Sequence, residues 1–290
     1  MNAGARRWLP FLLLLPLTAV LCVGFLLPLI QSVENSFHGF SPRGIDRSTW
    51  TLAAYTKLFD PFYAGVFGRT LRISLIISAI TAVLAYPVAL YVAQLRGRAQ
   101  AFLLLVYMSP WLINVVVKAF GWTLLLGPRG TINTILRTLG LTDAPVPLMF
   151  NETGVIIGLI HGHFIFVLLP LWAALAGIDP NLRWAAGNLG ARPWEIFRRV
   201  TLPLSLPALM AGVIINFTMN MAAFATPALL GGTRVQVVSF LAYEVNLVDL
   251  NWPLGAAMSM VLLVATLVLV VLSQRIVASG RRRVMFEGAR

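Results

Sequence analysis

Six stretches of the chain, at residues 8–30, 73–95, 101–126, 154–177, 207–230 and 253–273, are each long and apolar enough to cross a bilayer, since about 20 apolar residues span the hydrocarbon. In lipid every backbone N–H and C=O must be satisfied within the protein, and for separate runs of this length that leaves helices. The expectation is an all-α integral membrane protein with six transmembrane helices, built as one membrane domain over residues 1–290. Charged residues make up only 11% of the chain, less than half of the roughly 25% usual in soluble domains. The first run follows Arg6 and Arg7, as a signal peptide would. Its apolar stretch outruns the roughly 7–15 residues of a signal core and no small-residue cleavage pattern follows, so it reads as a retained span.

Orientation comes from where the bases fall. With the amino terminus inside, Arg6, Arg7, Arg96, Arg98, Arg183, Arg192, Arg198, Arg199, Arg275, Arg281, Arg282, Arg283 and Arg290 lie on the inner side, against Asp179, Glu195 and Glu287. Bases concentrated on the short loops of one side mark that side as cytoplasmic. Both termini and the segment 178–206 are therefore expected inside. These bases flank apolar runs rather than forming a patch interleaved with aromatics, so the net charge of +12 reflects topology and not nucleic-acid binding. The outer loops 31–72, 127–153 and 231–252 carry Asp60, Glu244 and Asp249 as candidate contacts for an external protein. Short helices are expected there at 52–59 and 132–139.

The sequence also excludes several chemistries. Lys57 and Lys118 are the only lysines and neither precedes Ser or Thr, so no phosphate loop of the Gly-Lys-Ser/Thr kind exists. Paired cysteines, His-Glu-x-x-His and Gly-x-Ser-x-Gly are absent, and Cys22 stands alone in the first run, which leaves a membrane enzyme without a motif and the chain without a metal site. His161 and His163 fall on different helix faces, a spacing that suits hydrogen-bonded structural roles rather than a shared metal. No acid lies in the middle of a span, so a proton- or sodium-coupled carrier lacks its relay and the energy source is expected outside this polypeptide.

Two polar stripes enter the spans. Trp111, Asn114, Lys118 and Trp122 recur every three or four residues in the third run, where a straight helix would lift Lys118 about 26 Å above the inner end. Asn216, Asn220 and Phe224 recur every four in the fifth. Asparagine is costly against lipid, so both stripes are candidates to line a translocation pathway, with helix-to-helix contact as the alternative. Pro87, Pro110 and Pro227 are expected to bend or break their spans.

The segment 179–203 is the one punctuated, soluble-looking stretch of the carboxyl half. Asp179-Pro180 is an N-cap followed by proline at the first helical position, Gly190 is a stop, and Pro193 restarts a helix that should end at Leu202-Pro203. Two short helices and a turn follow. Ala185, Ala186, Gly190, Val200, Leu202 and Pro203 match in order and spacing the cytoplasmic signature of ABC importer permeases, Glu-Ala-Ala, three residues, Gly, nine residues, Ile-x-Leu-Pro. Trp184, preceded by Arg183, stands where that pattern has glutamate. The chain thus resembles the type I ABC importer permease family over nearly its whole length. It is most similar to the polyamine (spermidine and putrescine) permeases of the first-subunit kind, through 52–61, Tyr86-Pro87, Ser109-Pro110-Trp111 and 249–257.

The resemblance implies an inner-membrane, multi-pass subunit paired with a second, similar permease, two copies of an ABC ATPase and a soluble substrate-binding protein on the outer side. ATP and Mg would sit on the ATPase, with no cofactor in this chain. Residues Trp184, Ala185, Ala186, Gly190, Trp194, Phe197, Val200, Leu202 and Pro203 would contact the ATPase and carry its closure into the spans. The solute implied is a polyamine or a related small amino-containing molecule; permeases for iron, phosphonates, opines and amino-acid-like solutes share the less specific segments. A carrier working alone is the rival reading.

Overall fold

The computed structural model describes residues 13–42 and 44–287, with side chains of the last helix as far as Arg275. The start of the first expected span at 8–12, Arg6, Arg7 and Arg290, and the side chains of Arg281, Arg282, Arg283 and Glu287, lie outside what is described. Packing divides the chain into two compact units, residues 1–64 with 241–264, and residues 65–240 with 265–290.

The first unit begins with α1 (Leu13–Ser36). A hairpin follows, β1 (His38–Ser41) against β2 (Gly44–Trp50), antiparallel, with Phe40 opposite Ile45 and a bulge after His38. The sequence reading had no strand here. Local chemistry explains it: Asp46 Oδ1 accepts from the Ser48 backbone N–H (3.0 Å) and hydroxyl (2.5 Å), folding the chain at the bulge. Those bonds hold the Asp46 carboxyl below its ordinary pKa. The short α2 (Ala53–Lys57) is tied to α1 by the Ser36 and Tyr55 hydroxyls at 2.7 Å.

The second unit holds most of α3 (Pro61–Gln94), then α4 (Arg98–Leu112), α5 (Val115–Leu126), α6 (Thr131–Thr138), α7 (Glu152–His163), α8 (Ile165–Ala176), α9 (Pro180–Asn188) and α10 (Pro193–Met221). The remaining long helices are α11 (Val238–Leu247) and α12 (Trp252–Glu287). Ile73 and Ile77 of α3 pack with Val155 and Leu159 of α7 and with Leu230, while Tyr86 and Ala89 pack with Ile165, Leu168, Leu171 and Leu175 of α8. α10 lies close on α8 because Gly212 has no side chain; a Cβ there would stand 2.9 Å from the Val167 Cα. Asn133 pins the outer loop, donating to the carbonyls of Gly127 and Val146 and accepting from the Val146 N–H at 2.8 Å.

Among the described residues four helices are long and apolar enough to cross a membrane as single spans, and up to six when two bent pairs each count as one. Several sequence boundaries are corrected. α3 starts at Pro61 rather than 73, and it runs unbroken through Pro87. The third expected span, 101–126, is broken: Arg98–Leu112 meets the stretch Val115–Thr138 at 96°. Pro110 does not sit at the break, which falls at Ile113, in extended conformation, and Asn114, whose side chain accepts from the Val116 N–H at 2.8 Å and caps α5. The α7–α8 pair bends by 42°. The fifth span ends at Met221, so Phe224 lies in the turn beyond it and not on a helical stripe, and Pro227 opens a separate π turn, Pro227–Gly231.

Candidate functional site

The segment 179–203 begins as the sequence dictates. Asp179 accepts from the Asn181 N–H at 2.9 Å and Pro180 opens α9. After Asn188 the chain turns at Gly190, whose φ of +82° is the left-handed region where a side chain is strained. Pro193 restarts the helix, and the Glu195 carboxylate turns back to accept from the Arg192 N–H at 2.9 Å.

The expected stop at Leu202-Pro203 does not occur. α10 continues from Pro193 to Met221. The reason is a π turn at Phe197–Thr201, where the Leu202 N–H reaches back to the Phe197 carbonyl. Widening that turn absorbs the missing N–H and the ring of Pro203, which would clash with the carbonyl four residues back in a regular helix.

This loop presents large apolar side chains outward. Trp184 is 68% exposed, Trp194 66% and Leu189 89%. Ala185, Gly190 and Pro203 are exposed, and Ala186, Val200 and Leu202 half-buried. Trp194 stacks on Phe197 with ring centroids 5.2 Å apart, and Phe197 in turn meets Tyr86 of α3 edge to face at 5.5 Å. The Tyr86 hydroxyl is 2.7 Å from the Ser205 hydroxyl. A surface aromatic is thus connected through one ring to the buried face of a membrane helix.

A polar network occupies the middle of the second unit. Ser78 lies near the midpoint of α3 and donates to Asn216 Oδ1 at 3.0 Å. Asn216 Nδ2 donates to the His163 carbonyl at 2.9 Å, and Asn220 Nδ2 donates to Asn216 Oδ1 at 2.8 Å. Asn220 Oδ1 and His163 Nδ1 are 2.7 Å apart. The Trp122 indole N–H donates to His161 Nδ1 at 3.2 Å. The fifth-run asparagines and the lower part of the third-run stripe therefore meet through α7, and both histidines are hydrogen-bonded. The stripe itself does not survive: Trp111 and Asn114 stand on the near side and at the corner of the 96° bend, away from the helix that carries Lys118 and Trp122. Trp111 is instead edge-on to Phe166 at 6.2 Å. Sequence reasoning missed Ser78, Ser205 and Tyr86; a serine pair four apart, Ser74 and Ser78, within an apolar run was the available signal.

Glu152 at the start of α7 accepts from Arg72 at 2.5 and 2.7 Å, with Arg69 at 3.7 Å. Of the acids expected to meet an external protein, Asp60 and Asp249 are exposed and Glu244 half-buried. Asp60 also accepts from the Phe62 N–H at 3.1 Å, fixing the start of α3.

Comparison with known proteins adds the following. Residues 85–284 match the family described as the binding-protein-dependent transport system inner membrane component. The chain is 32% identical over 280 residues to the spermidine/putrescine transport system permease protein PotB of Haemophilus influenzae, covering 97% of this chain and 94% of that protein. It is 31% identical over 236 residues to PotB of Escherichia coli, covering 81% and 86%. A chain of a bacterial alginate ABC transporter, solved in complex with an alginate pentasaccharide-bound periplasmic protein, superposes with a TM-score of 0.78 at 21% identity over 93% of each chain. At that identity the likeness is one of fold.

Proposed function

Because the chain belongs to the inner membrane components of binding-protein-dependent transport systems, we propose that residues 179–203 take the push of a separate ATPase and that the face bearing Lys118, Trp122, His163, Asn216 and Asn220 lines the solute's path. The chain is a permease subunit of an ATP-driven importer in the inner membrane and not an enzyme. In this reading the whole chain acts as one permease domain with both termini in the cytoplasm. It works beside a second permease, with two ATPase copies that hold ATP and Mg, and a binding protein that docks outside against loops carrying Asp60, Glu244 and Asp249. The solute is a polyamine or a related small amino-containing molecule, the class named in the relatives' descriptions.

The observation that carries this reading is the exposed trio Trp184, Leu189 and Trp194 around the Gly190 turn. Large apolar side chains gathered on a polar loop mark a surface that another protein covers. Coupling also needs an element with different contacts in two states, and the Trp194–Phe197–Tyr86 chain of rings supplies the route inward. Gly190→Val tests it. A β-branched residue at φ +82° distorts the turn, so the variant should reach the membrane at normal yield while ATP-dependent uptake into vesicles falls to background. Undiminished uptake would remove the coupling role.

A further inference from the structure

We propose that the solute carries an oxyanion, a carboxylate or phosphonate, in addition to its amine, and that Lys118 together with His161 receives that group midway across the membrane. The proposal rests on the reading of this face as the solute's path.

Depth comes first. A straight third span would have put Lys118 at the outer boundary, where a lysine simply reaches for water. The 96° bend cancels that count. Lys118 Nζ instead lies beside Gly162, where an added Cβ would be 3.5 Å away. Gly162 adjoins His163, whose carbonyl is held by Asn216, which is held by Ser78 near the centre of α3. The ammonium is therefore deep in the bilayer and not at its rim.

Charge comes second. Among the described residues the Lys118 side chain makes no ion pair and no hydrogen bond. An ammonium at this depth without a counter-charge is expensive, and such groups persist where they serve a passing ligand. Because the Trp122 N–H occupies His161 Nδ1, the neutral ring keeps its proton on Nε2, a second donor on the residue next to Gly162. A diamine arriving here meets like charge in a medium of low dielectric, whereas an oxyanion meets an ammonium and an N–H.

The amine has its own place. Phe166 stands edge-on to Trp111 at 6.2 Å and to His163 at 6.0 Å, and the exposed face of Trp111 is the kind of surface on which an ammonium rests.

The test uses the complete transporter with its binding protein in proteoliposomes and three radiolabelled probes: 4-aminobutyrate, 3-aminopropylphosphonate, and putrescine, which has no acid. At least one acid-bearing probe should accumulate about tenfold or more above putrescine. Lys118→Gln should cut that uptake by about tenfold or more, the loss expected for a charge-assisted contact, and Lys118→Arg should restore most of it. Membrane yield and ATP hydrolysis of each variant are measured alongside. Accumulation of putrescine alone, or of neither acid-bearing probe, overturns the proposal. If putrescine enters and Lys118→Gln speeds it, the oxyanion is wrong while the path stands. If Lys118→Gln and Asn220→Ala both leave every probe's uptake unchanged, the path itself is wrong.

Discussion

The loop at 179–203 and the hydrogen-bonded network around Asn216 handle their polar and apolar groups in opposite ways. At 179–203 the backbone is closed by Asp179, Glu195 and the two prolines, yet Trp184, Leu189 and Trp194 are left facing outward. Around Asn216 the reverse holds: Ser78, Asn216, Asn220 and His163 satisfy one another, and one ammonium is left over. The first region is structurally complete but energetically waiting for a protein. The second is self-sufficient except for a single charge. On the reading proposed above, that is the contrast expected between a surface that binds a permanent partner and one that must hold a passing molecule and let it go.

Removing the exposed indoles strikes the first region hardest. Trp184→Ala with Trp194→Ala should weaken binding of the purified ATPase to the solubilised permease by more than about tenfold, the size expected of interface anchors. The melting temperature of the permease should barely move. Unchanged ATPase affinity would erase the contrast. Asn216→Leu probes the second region with an intermediate effect. It takes the acceptor from the Asn220 amide and the donor from the His163 carbonyl, while Ser78 keeps the Ser74 carbonyl; each group left buried and unpaired costs about 1–3 kcal/mol. Thermal unfolding of the purified complex should drop by several degrees, with ATPase binding intact. The smallest change is expected from Arg72→Ala at the outer rim. Its ion pair with Glu152 is short but 58% exposed on the arginine side, and pairs of that kind contribute about 0–1 kcal/mol. A loss as large as that of Asn216→Leu would show that the rim, not the middle, holds α3 to α7.

What could be read from the residues follows the range of the forces involved. Asp179-Pro180, Gly190 and Pro193 act on their own backbone, and the structure puts a cap, a left-handed turn and a restart at those positions. The outer end of α3 was cut short at 73 because Arg69 and Arg72 interrupt the apolar run, although Glu152, 80 residues from Arg72, accepts their charge. Asn114 fits a helical stripe by spacing, but its side chain does better as a cap, and an apolar window cannot tell a right-angled pair from a straight span. Pro203 reads as a stop only while the helix before it is regular. The joining of Lys118's helix to Asn220 through α7 depends on two bends and a hydrogen bond between distant helices, none of which leaves a periodic trace.

The π turn at Phe197–Thr201 has a mechanical consequence. It lets one helix continue from Trp194 to Asn220, about 39 Å away at roughly 1.5 Å per residue. A tilt of about 5° at the cytosolic end of such a rod swings its far end by about 3 Å, enough to open or close a hydrogen bond. The asparagines would feel a nucleotide-driven nudge at their own scale, with the widened turn and Pro207 as the places along the way where the helix can bend.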